Sequence, residues 1–343
     1  MKQNNCLLGK IFCLFLCSFF LLSGFDLAVS QAQKPLITLY EKENKETLTL
    51  YQPFKKWSKV AKLDKQASLQ LTGRLPKIDC ATAFYPVAAA FVEATYPEGN
   101  YALGKQDILT RTTSRLAFNR LINGDIDILF AFAPSDKQLE YAAQKGVELK
   151  LQPIGKEAFV FFVNEFNPVH NLTIEQVQVI YSGEITNWQQ VGGLDMPIKA
   201  FQRPKNSGSQ TALERLMAGK KILPAPIDMV PYSMMAIFDR VAEFDDSKNA
   251  IGYSFRFYAT EMMTMPVRLL SIDGVEPTEE NIANGKYPLT EEFYLITTAN
   301  KNPNVEAFIS WILSTEGQEL VEKIGYSKIE PDVFICIRPI ASR

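Results

Sequence analysis

The chain has 343 residues, of which 47% are hydrophobic and 22% are charged, and its formal net charge is −2. Such a composition is typical of a folded protein with a large core, and the length fits two lobes better than one. A net charge this small excludes a broad basic surface, so we expect neither a nucleic acid nor an anionic membrane as a partner. A site for an anion must therefore be local.

Residues 1–32 have the pattern of a secretory signal peptide. Two lysines precede an apolar run from Ile11 to about Gly24, and small residues follow, so cleavage is expected after Ser30 or Ala32. The run is shorter than the ~20 apolar residues that a membrane-spanning helix needs. We therefore expect export to the periplasm or the cell exterior.

Three of the five cysteines lie in that segment, which leaves Cys80 and Cys336 in the mature protein. Two cysteines are not a disulfide framework, and the sequence does not say whether they pair. Neither has the spacing of a metal site. We expect no metal and no cofactor.

After a polar N-terminal extension, residues 33–77, apolar runs alternate with helical segments. The extension has only two strand-like patches, "LTLYQPF" and "LQLTG". From Ile78 onward the apolar runs are continuous, as in strands buried on both faces. This alternation predicts an α/β chain with mostly parallel sheets.

Two lobes facing a ligand cleft are the most economical architecture for such a chain. We expect lobe 1 to contain residues 78–155 and 275–343, and lobe 2 to contain residues 156–274. The chain is expected to cross between the lobes near Ile154–Phe162 and to return near residues 260–290.

Some helix boundaries can be predicted from local signals. Thr173 stands three residues before Gln176, which is the spacing of a capping box, and this helix is expected to end at Gly183. The stretch "NPNVEAFISWILSTEGQELVEKIG" predicts two helices divided around Ser314.

The stretch "RPKNSGSQTALERL" combines a fixed cation with a hydroxyl-rich helix start. Ser207 is expected to cap a helix that begins near Ser209, and Gly208 lets a ligand approach the backbone closely. The unpaired N–H groups of the first turn favour an anion, and Arg203 can add a bidentate donor. Taken alone, the motif more often means a simple cap and a solvated arginine.

The same chemistry recurs at two other helix starts. Thr82 in "DCATAFYPVAAAF" and Thr112 to Ser114 in "LTRTTSRLAFNRL" each follow a predicted strand. Ligands of open α/β sheets lie beyond the carboxyl ends of the strands, so we expect the three starts to converge on one cleft. Together with one guanidinium they could hold a small tetrahedral anion without a metal.

These stretches resemble the phosphate-binding proteins that supply ABC transporters. "RPKNSGSQT" is similar to the family's Arg-x-x-x-Ser-Gly-Thr/Ser loop, and "DCATAFYPV" is similar to its first loop. "IYSGEITNWQQVGG", "AIGYSF" and the C-terminal "NPNVEAFISWILSTEGQELVEKIGY" are also family-like. The resemblance covers roughly residues 75–330 and implies a two-lobe type II periplasmic-binding-protein fold with a ligand cleft between the lobes.

The resemblance also implies a function: capture of phosphate or a similar oxyanion, closure of the lobes, and delivery to a membrane permease. The ligand residues that it implies are Thr82, Ala83, Thr113, Ser114, Arg203, Ser207, Gly208 and Ser209. The first four belong to one lobe and the last four to the other; Ala83 would act through its backbone N–H, and either Thr113 or Ser114 would add a hydroxyl.

One family feature is missing from the sequence. The family's phosphate binders commonly place an aspartate just after the strand that corresponds to "DIDILFAFAPSD", where this chain has residues 130–133, "FAFA". A carboxylate there accepts a hydrogen bond from a ligand that still carries a proton, and so selects hydrogen phosphate over sulfate. The candidates to replace it are Asp136 and Asp79; if neither does, the ligand need not be phosphate.

Two other classes of function stay open. An oxyanion-binding or sensor module would use the same cleft without transport. A phosphomonoesterase would need a nucleophile with a base or a metal, and His170, the only histidine, lies in a predicted turn. We therefore expect a monomeric binding protein that is not an enzyme.

Overall fold

The computed structural model describes residues 47–101, 108–243, 248–299 and 302–329. The chain divides into two units between Asn44 and Lys45, and all the described residues belong to the second unit. The predicted signal peptide, the first part of the N-terminal extension and Cys336 lie outside the described residues. A search of the described helices finds none that combines the length and the apolar character needed to cross a membrane.

A mixed sheet forms the centre of the described structure. Its strands are β1 (Ile78–Cys80), β2 (Leu109–Arg111), β3 (Ile128–Ala131), β4 (Lys150–Asn164), β6 (Lys199–Ala200), β7 (Ala250–Phe255), β8 (Val267–Leu269) and β10 (Thr290–Thr297), while β5 (Asn171–Leu172) and β9 (Ser271–Ile272) form a separate parallel pair. The order is β2-β1-β3-β10-β4-β7-β6, and β8 also pairs with β4.

The prediction of mostly parallel sheets is only partly right. β1 runs parallel to β2 and β3, and β6 runs parallel to β7. β10, however, is antiparallel to both β3 and β4, and β4 is antiparallel to β7 and β8. The sheet is mixed because a strand from late in the chain is inserted at its centre, a pairing that no local sequence signal encodes.

The helices follow the predicted segments closely. They are α1 (Tyr85–Thr95), α2 (Ser114–Ile122), α3 (Asp136–Gln144), α4 (Ile174–Ser182), α5 (Gly208–Leu216), α6 (Met234–Ala242), α7 (Glu279–Ala283), α8 (Asn304–Ile312) and α9 (Thr315–Ile324). Thr173 and Gln176 form both bonds of the predicted capping box, and α4 ends at Gly183 with φ 83°. Ser314 separates the two C-terminal helices and caps the second one. These local predictions are confirmed.

The described part of the N-terminal extension packs on the rest of the unit without forming a strand. Leu48, Val60 and Leu71 are buried. The Leu71 N–H donates to the carbonyl oxygen of Thr95, the last residue of α1, at 2.7 Å. The two strand-like patches form no ladder among the described residues, and Leu71 in the second patch bonds to the end of α1 instead.

Helix α1 lies in the core, which fixes the turn that precedes it. Most of its residues are buried, as expected for a helix that is apolar nearly all round. The Phe91 ring packs edge-on against Phe308 and Trp311, with centroids 6.4 and 6.0 Å away. The short 3-10 turn Thr82–Phe84 is therefore attached to a rigid element.

Strand β4 changes its neighbour along its length. Residues 150–158 pair with β10, and Phe159–Val163 pair with β7. This change falls within Ile154–Phe162, where the sequence predicts that the chain crosses between lobes. The exact lobe boundaries stay a prediction.

Glu157 is buried at this point of β4. Its carboxylate accepts hydrogen bonds from the N–H groups of Ala158 at 2.8 Å and Phe257 at 3.2 Å. Burial nonetheless raises the pKa of this carboxyl to about 7. The folded protein thus holds the proton more tightly than the unfolded chain does, so the resulting stability is present below the unfolded pKa and is lost as the pH rises through about 7.

We expect the free energy of unfolding of the wild type, relative to Glu157→Gln, to fall by about 2 to 3 kcal/mol between about pH 5 and pH 8. Glutamine does not ionise, so the difference isolates the titration of the carboxyl. Urea unfolding at both pH values measures it. The exposed Glu98→Gln variant serves as the control, and a Glu157→Gln difference that is independent of pH would contradict the prediction.

Candidate functional site

Three predicted site segments lie at one edge of the sheet. Cys80, the last residue of β1, pairs in register with Arg111 of β2 on one side and with Phe130 of β3 on the other. The carboxyl ends of these parallel strands therefore lie together. The turn Thr82–Phe84 follows β1, α2 follows β2, and Phe132 follows β3.

The fourth segment belongs to the β6–β7 part of the sheet. Ser207 caps α5, with its Oγ accepting the Gln210 N–H at 3.4 Å. The backbone N–H of Arg203 donates to the Gln210 side-chain oxygen at 2.9 Å and to the Tyr253 hydroxyl at 2.8 Å. These bonds fold the loop back over the first turn of α5, which places Arg203 beside the N-terminus of that helix.

The N-termini of α2 and α5 meet. A Cβ atom added at Gly208 would lie 3.2 Å from Ser114 Oγ and 3.9 Å from the Phe132 ring. The Phe132 ring in turn stacks on Phe255 of β7, with centroids 3.9 Å apart. The starts of α2 and α5 therefore lie side by side, although the sequence places them in different predicted lobes.

Arg203 is a buried cation with no acidic partner in the described chain. It is 7% exposed, and its Nη2 donates to the carbonyl oxygen of Tyr232 at 2.9 Å. Its Nε and Nη1 are buried without a hydrogen-bond partner among the described residues. Burial lowers the pKa of the guanidinium to about 10, so it is still charged at neutral pH. A buried charge without a counter-ion costs several kcal/mol, and this one therefore indicates a site for an anion.

The three hydroxyl groups after β2 have different surroundings. Thr113 caps α2, with its Oγ1 accepting the Leu116 N–H at 3.4 Å. The Thr112 hydroxyl donates to Asp79 at 2.9 Å. The Ser114 Oγ is the group beside Gly208. The geometry thus favours Ser114 over Thr113 as the hydroxyl that faces a ligand.

Thr82 and Ala83 lie on the short turn beside this location. Thr82 is partly exposed, and Ala83 is buried and accepts a hydrogen bond from the Tyr326 hydroxyl through its carbonyl oxygen. The Phe84 ring is 4.7 Å from the Phe132 ring, centroid to centroid. Because Phe132 also borders Gly208, the turn lies next to the starts of α2 and α5.

Neither candidate aspartate is placed to accept a proton from a ligand. The Asp79 carboxylate is fully buried and accepts from the Cys80 N–H, from both the N–H and the hydroxyl of Thr112, and from the Arg120 guanidinium. Burial raises the pKa of this carboxyl, and Arg120 opposes the rise. Asp79 therefore anchors the segment after β2, while Asp136 is exposed on the first turn of α3.

Arg111, the last residue of β2, was not included among the predicted ligand residues. Its Nε is buried without a partner in the described chain, and so is the hydroxyl of Tyr85. One signal in the sequence could have indicated Arg111 as a ligand residue: it is a basic residue at the end of a predicted strand, immediately before the hydroxyl-rich helix start.

Comparison with known proteins gives the same answer as the geometry. A family model described as a PBP superfamily domain matches residues 76–316. The chain belongs to this superfamily.

The curated relatives include phosphate-binding proteins PstS. That of Borreliella burgdorferi is 26% identical, over 61% of this chain and 76% of the relative, and that of Pseudomonas aeruginosa is 30% identical, over 56% and 64%. The chain therefore spans just under two thirds of the Pseudomonas protein. These relatives confirm the resemblance predicted from the motifs.

Solved structures confirm the two-lobe type II fold. A substrate-binding protein assigned to a phosphate ABC transporter of Clostridium perfringens, solved with bound phosphate, has a TM-score of 0.57 and 25% identity over 74% of this chain and 99% of its own. An ABC-type phosphate transport receptor from Vibrio cholerae has a TM-score of 0.55 and 23% identity, over 74% and 100%, and supports the fold alone.

Gly208→Ala tests the meeting point of the two helices. The new methyl group would occupy the space beside Ser114 Oγ, so we expect phosphate affinity, measured by isothermal titration calorimetry, to fall roughly tenfold or more. Alanine suits the first turn of a helix, so the ligand-free protein should unfold at about the same temperature. Gly99→Ala, at an exposed glycine beside Tyr101, is the matched control. Unchanged affinity in Gly208→Ala would place the ligand elsewhere.

Proposed function

We propose that the protein is an exported solute-binding protein that captures phosphate or a similar tetrahedral oxyanion between its lobes and delivers it to an ABC transporter. The observation that carries the proposal is the buried Arg203, whose Nε and Nη1 lack partners in the described chain at the N-terminus of α5. Membership of the PBP superfamily and the names of the relatives support it.

The proposed ligand contacts come from both sides of the cleft. On one side, Arg203 offers a planar donor pair, and Ser207 to Ser209 offer hydroxyls and the unpaired N–H groups of the first turn. On the other side, Ser114 and the Thr82–Ala83 turn offer a hydroxyl and N–H groups. Thr113 and Ser207 each accept an N–H as helix caps, and each hydroxyl keeps its own proton to donate to the ligand.

Closure follows from the same contacts. An anion that touches helix N-termini of both lobes interacts fully only when the lobes are closed, so binding shifts the population toward the closed state. A permease that recognises the closed state would then receive the loaded protein only. Closure also covers the anion from water, which strengthens its interaction with Arg203.

A phosphomonoesterase is the competing enzyme. Within the described residues, no group of three or more histidine, cysteine, aspartate or glutamate side chains could hold a metal ion. His170 is exposed, and its carbonyl oxygen bonds to Ser271 of β9, far in the chain from the serines of α5. Incubation with a phosphate ester, with and without divalent metals, tests the enzyme directly: we propose binding without turnover.

A sensor or other non-transport module is the competing binding protein. Both would bind the anion, so binding alone does not separate them. Stimulation of a reconstituted permease and its ATPase by the loaded protein would support transport. A protein that binds phosphate but leaves every such transporter of its own cell unaffected would favour the sensor.

Arg203→Met tests the proposed ligand charge. We expect phosphate affinity to fall about 100-fold or more, because the variant keeps the volume of the side chain but loses its charge-assisted donors. Arg203→Lys should give an intermediate loss, since lysine keeps the charge but not the planar donor pair.

The readouts are titration calorimetry and the rise in unfolding temperature on addition of phosphate. The ligand-free Arg203→Met protein should be about as stable as wild type, because the change removes an uncompensated buried charge. Arg74→Met, at an exposed arginine of the N-terminal extension, is the control. Wild-type affinity in Arg203→Met would exclude the proposed site.

A further inference from the structure

Arg111 is partly buried and shares one property with Arg203, a buried Nε without a partner in the described chain. It ends β2, directly before the start of α2. The guanidinium opposes the rise in pKa that burial causes at Tyr85 and Cys80, so it lies within electrostatic range of both groups. Neither group is an anion at neutral pH, so neither neutralises it.

Both guanidiniums lie near the buried Tyr258. Tyr258 lies in a π-helical turn shortly after β7. Burial raises the pKa of its hydroxyl, and both Arg203 and Arg111 oppose that rise, so both cations lie within electrostatic range of one phenol. Ser114, three positions after Arg111, lies beside Gly208 at the start of α5, which brings the end of β2 and the Arg203 loop to the same location.

The position where the family's phosphate binders commonly have an aspartate is occupied by an aromatic ring. Phe132 is buried and stacks on Phe255, and it also contacts Phe84 at a centroid distance of 4.7 Å. Asp79 is occupied by its own partners, and Asp136 is exposed. Neither of these two candidate carboxylates is therefore placed to accept a hydrogen bond from a ligand held by the two arginines.

We propose that Arg111 is a second guanidinium ligand of the bound anion, and that the cleft selects its ligand by charge and not by protonation. It therefore binds sulfate nearly as well as hydrogen phosphate. This proposal rests on the function proposed above. Two guanidiniums are neutralised by a dianion, whereas a monoanion leaves one buried positive charge uncompensated.

Because the site requires a dianion, the affinity for phosphate depends on pH, whereas the affinity for sulfate does not. Phosphate takes up a second proton as the pH falls below neutrality and becomes a monoanion, whereas sulfate stays a dianion. Around the two arginines, the pKa values of Cys80, Tyr85, Tyr253 and Tyr258 are raised by burial, so these groups stay neutral.

Carboxyl groups near the site must be separated from the ligand's own titration. Besides Asp79 and Glu157, Asp239 lies within electrostatic range of Tyr258, and Glu214 lies within range of Tyr253. Asp79 is paired with Arg120, and Glu157, with a pKa of about 7, lies where β4 changes its partner. Any effect of these groups on closure acts on both anions alike. Sulfate, which does not titrate, therefore serves as the internal reference for phosphate.

The experiment is titration calorimetry of sodium phosphate and sodium sulfate into the wild type at about pH 5.5 and about pH 8.5. We expect sulfate to bind within about tenfold of phosphate at the higher pH. Relative to sulfate, phosphate should bind about tenfold or more weakly at the lower pH.

Two variants test the residues. Arg111→Gln should weaken both anions by about tenfold or more, while the exposed Arg115→Gln, four positions along the chain, should leave them unchanged. Phe132→Asp should weaken sulfate more than phosphate, because it adds an acceptor that only a protonated anion can satisfy. Circular dichroism shows whether Phe132→Asp folds; if it does not, the wild-type selectivity and Arg111→Gln still decide.

Each outcome supports or overturns a stated claim. Phosphate binding with sulfate more than about 1,000-fold weaker at both pH values would refute selection by charge and leave the proposed function standing. An Arg111→Gln protein equal to Arg115→Gln would remove Arg111 from the site. A wild type that binds neither anion would refute the proposed function itself.

Discussion

The described structure depends on one costly feature, a guanidinium that is buried where no carboxylate of the described chain reaches it. Arg203 is held there by its backbone bonds to Gln210 and Tyr253, and its Nη2 has one carbonyl partner. Ion pairing elsewhere in the described chain, such as Arg120 with Asp79, shows how the same fold satisfies a cation that serves structure. The two arginines therefore differ in that Arg120 is paired within the fold, whereas Arg203 is the group that we propose binds the ligand.

The scaffold brings distant segments together by a simple rule. Parallel strands in register end at the same edge, so the residues after β1, β2 and β3 become neighbours although more than 50 positions separate Cys80 from Ala131. α5 joins them from the β6–β7 side, and the Phe132–Phe255 stack closes the gap between the two sides.

Local signals determined what could be predicted from the sequence. The caps at Thr173 and Ser207 and the break between two helices at Ser314 depend on residues within one helical turn, and all three features were predicted correctly. The antiparallel insertion of β10 between β3 and β4 depends on contacts across more than 100 positions, and periodicity carries no trace of it. For the same reason, the sequence could name Asp79 as a possible acceptor but could not show that Thr112 and Arg120 already occupy it.

The exchange of an acidic side chain for Phe132 changes what the cleft can discriminate. A carboxylate rejects a fully ionised ligand because two negative groups would face each other without a proton between them. An aromatic ring in that place rejects nothing by charge, but it packs on Phe84 and Phe255 and so contributes to closure itself. On the proposal that Arg111 and Arg203 both bind the ligand, the affinity of the site depends on the total charge of the ligand. On this proposal, the cations and carboxylates around the cleft determine which anion binds. The Ser-Gly-Ser loop alone does not reveal that balance.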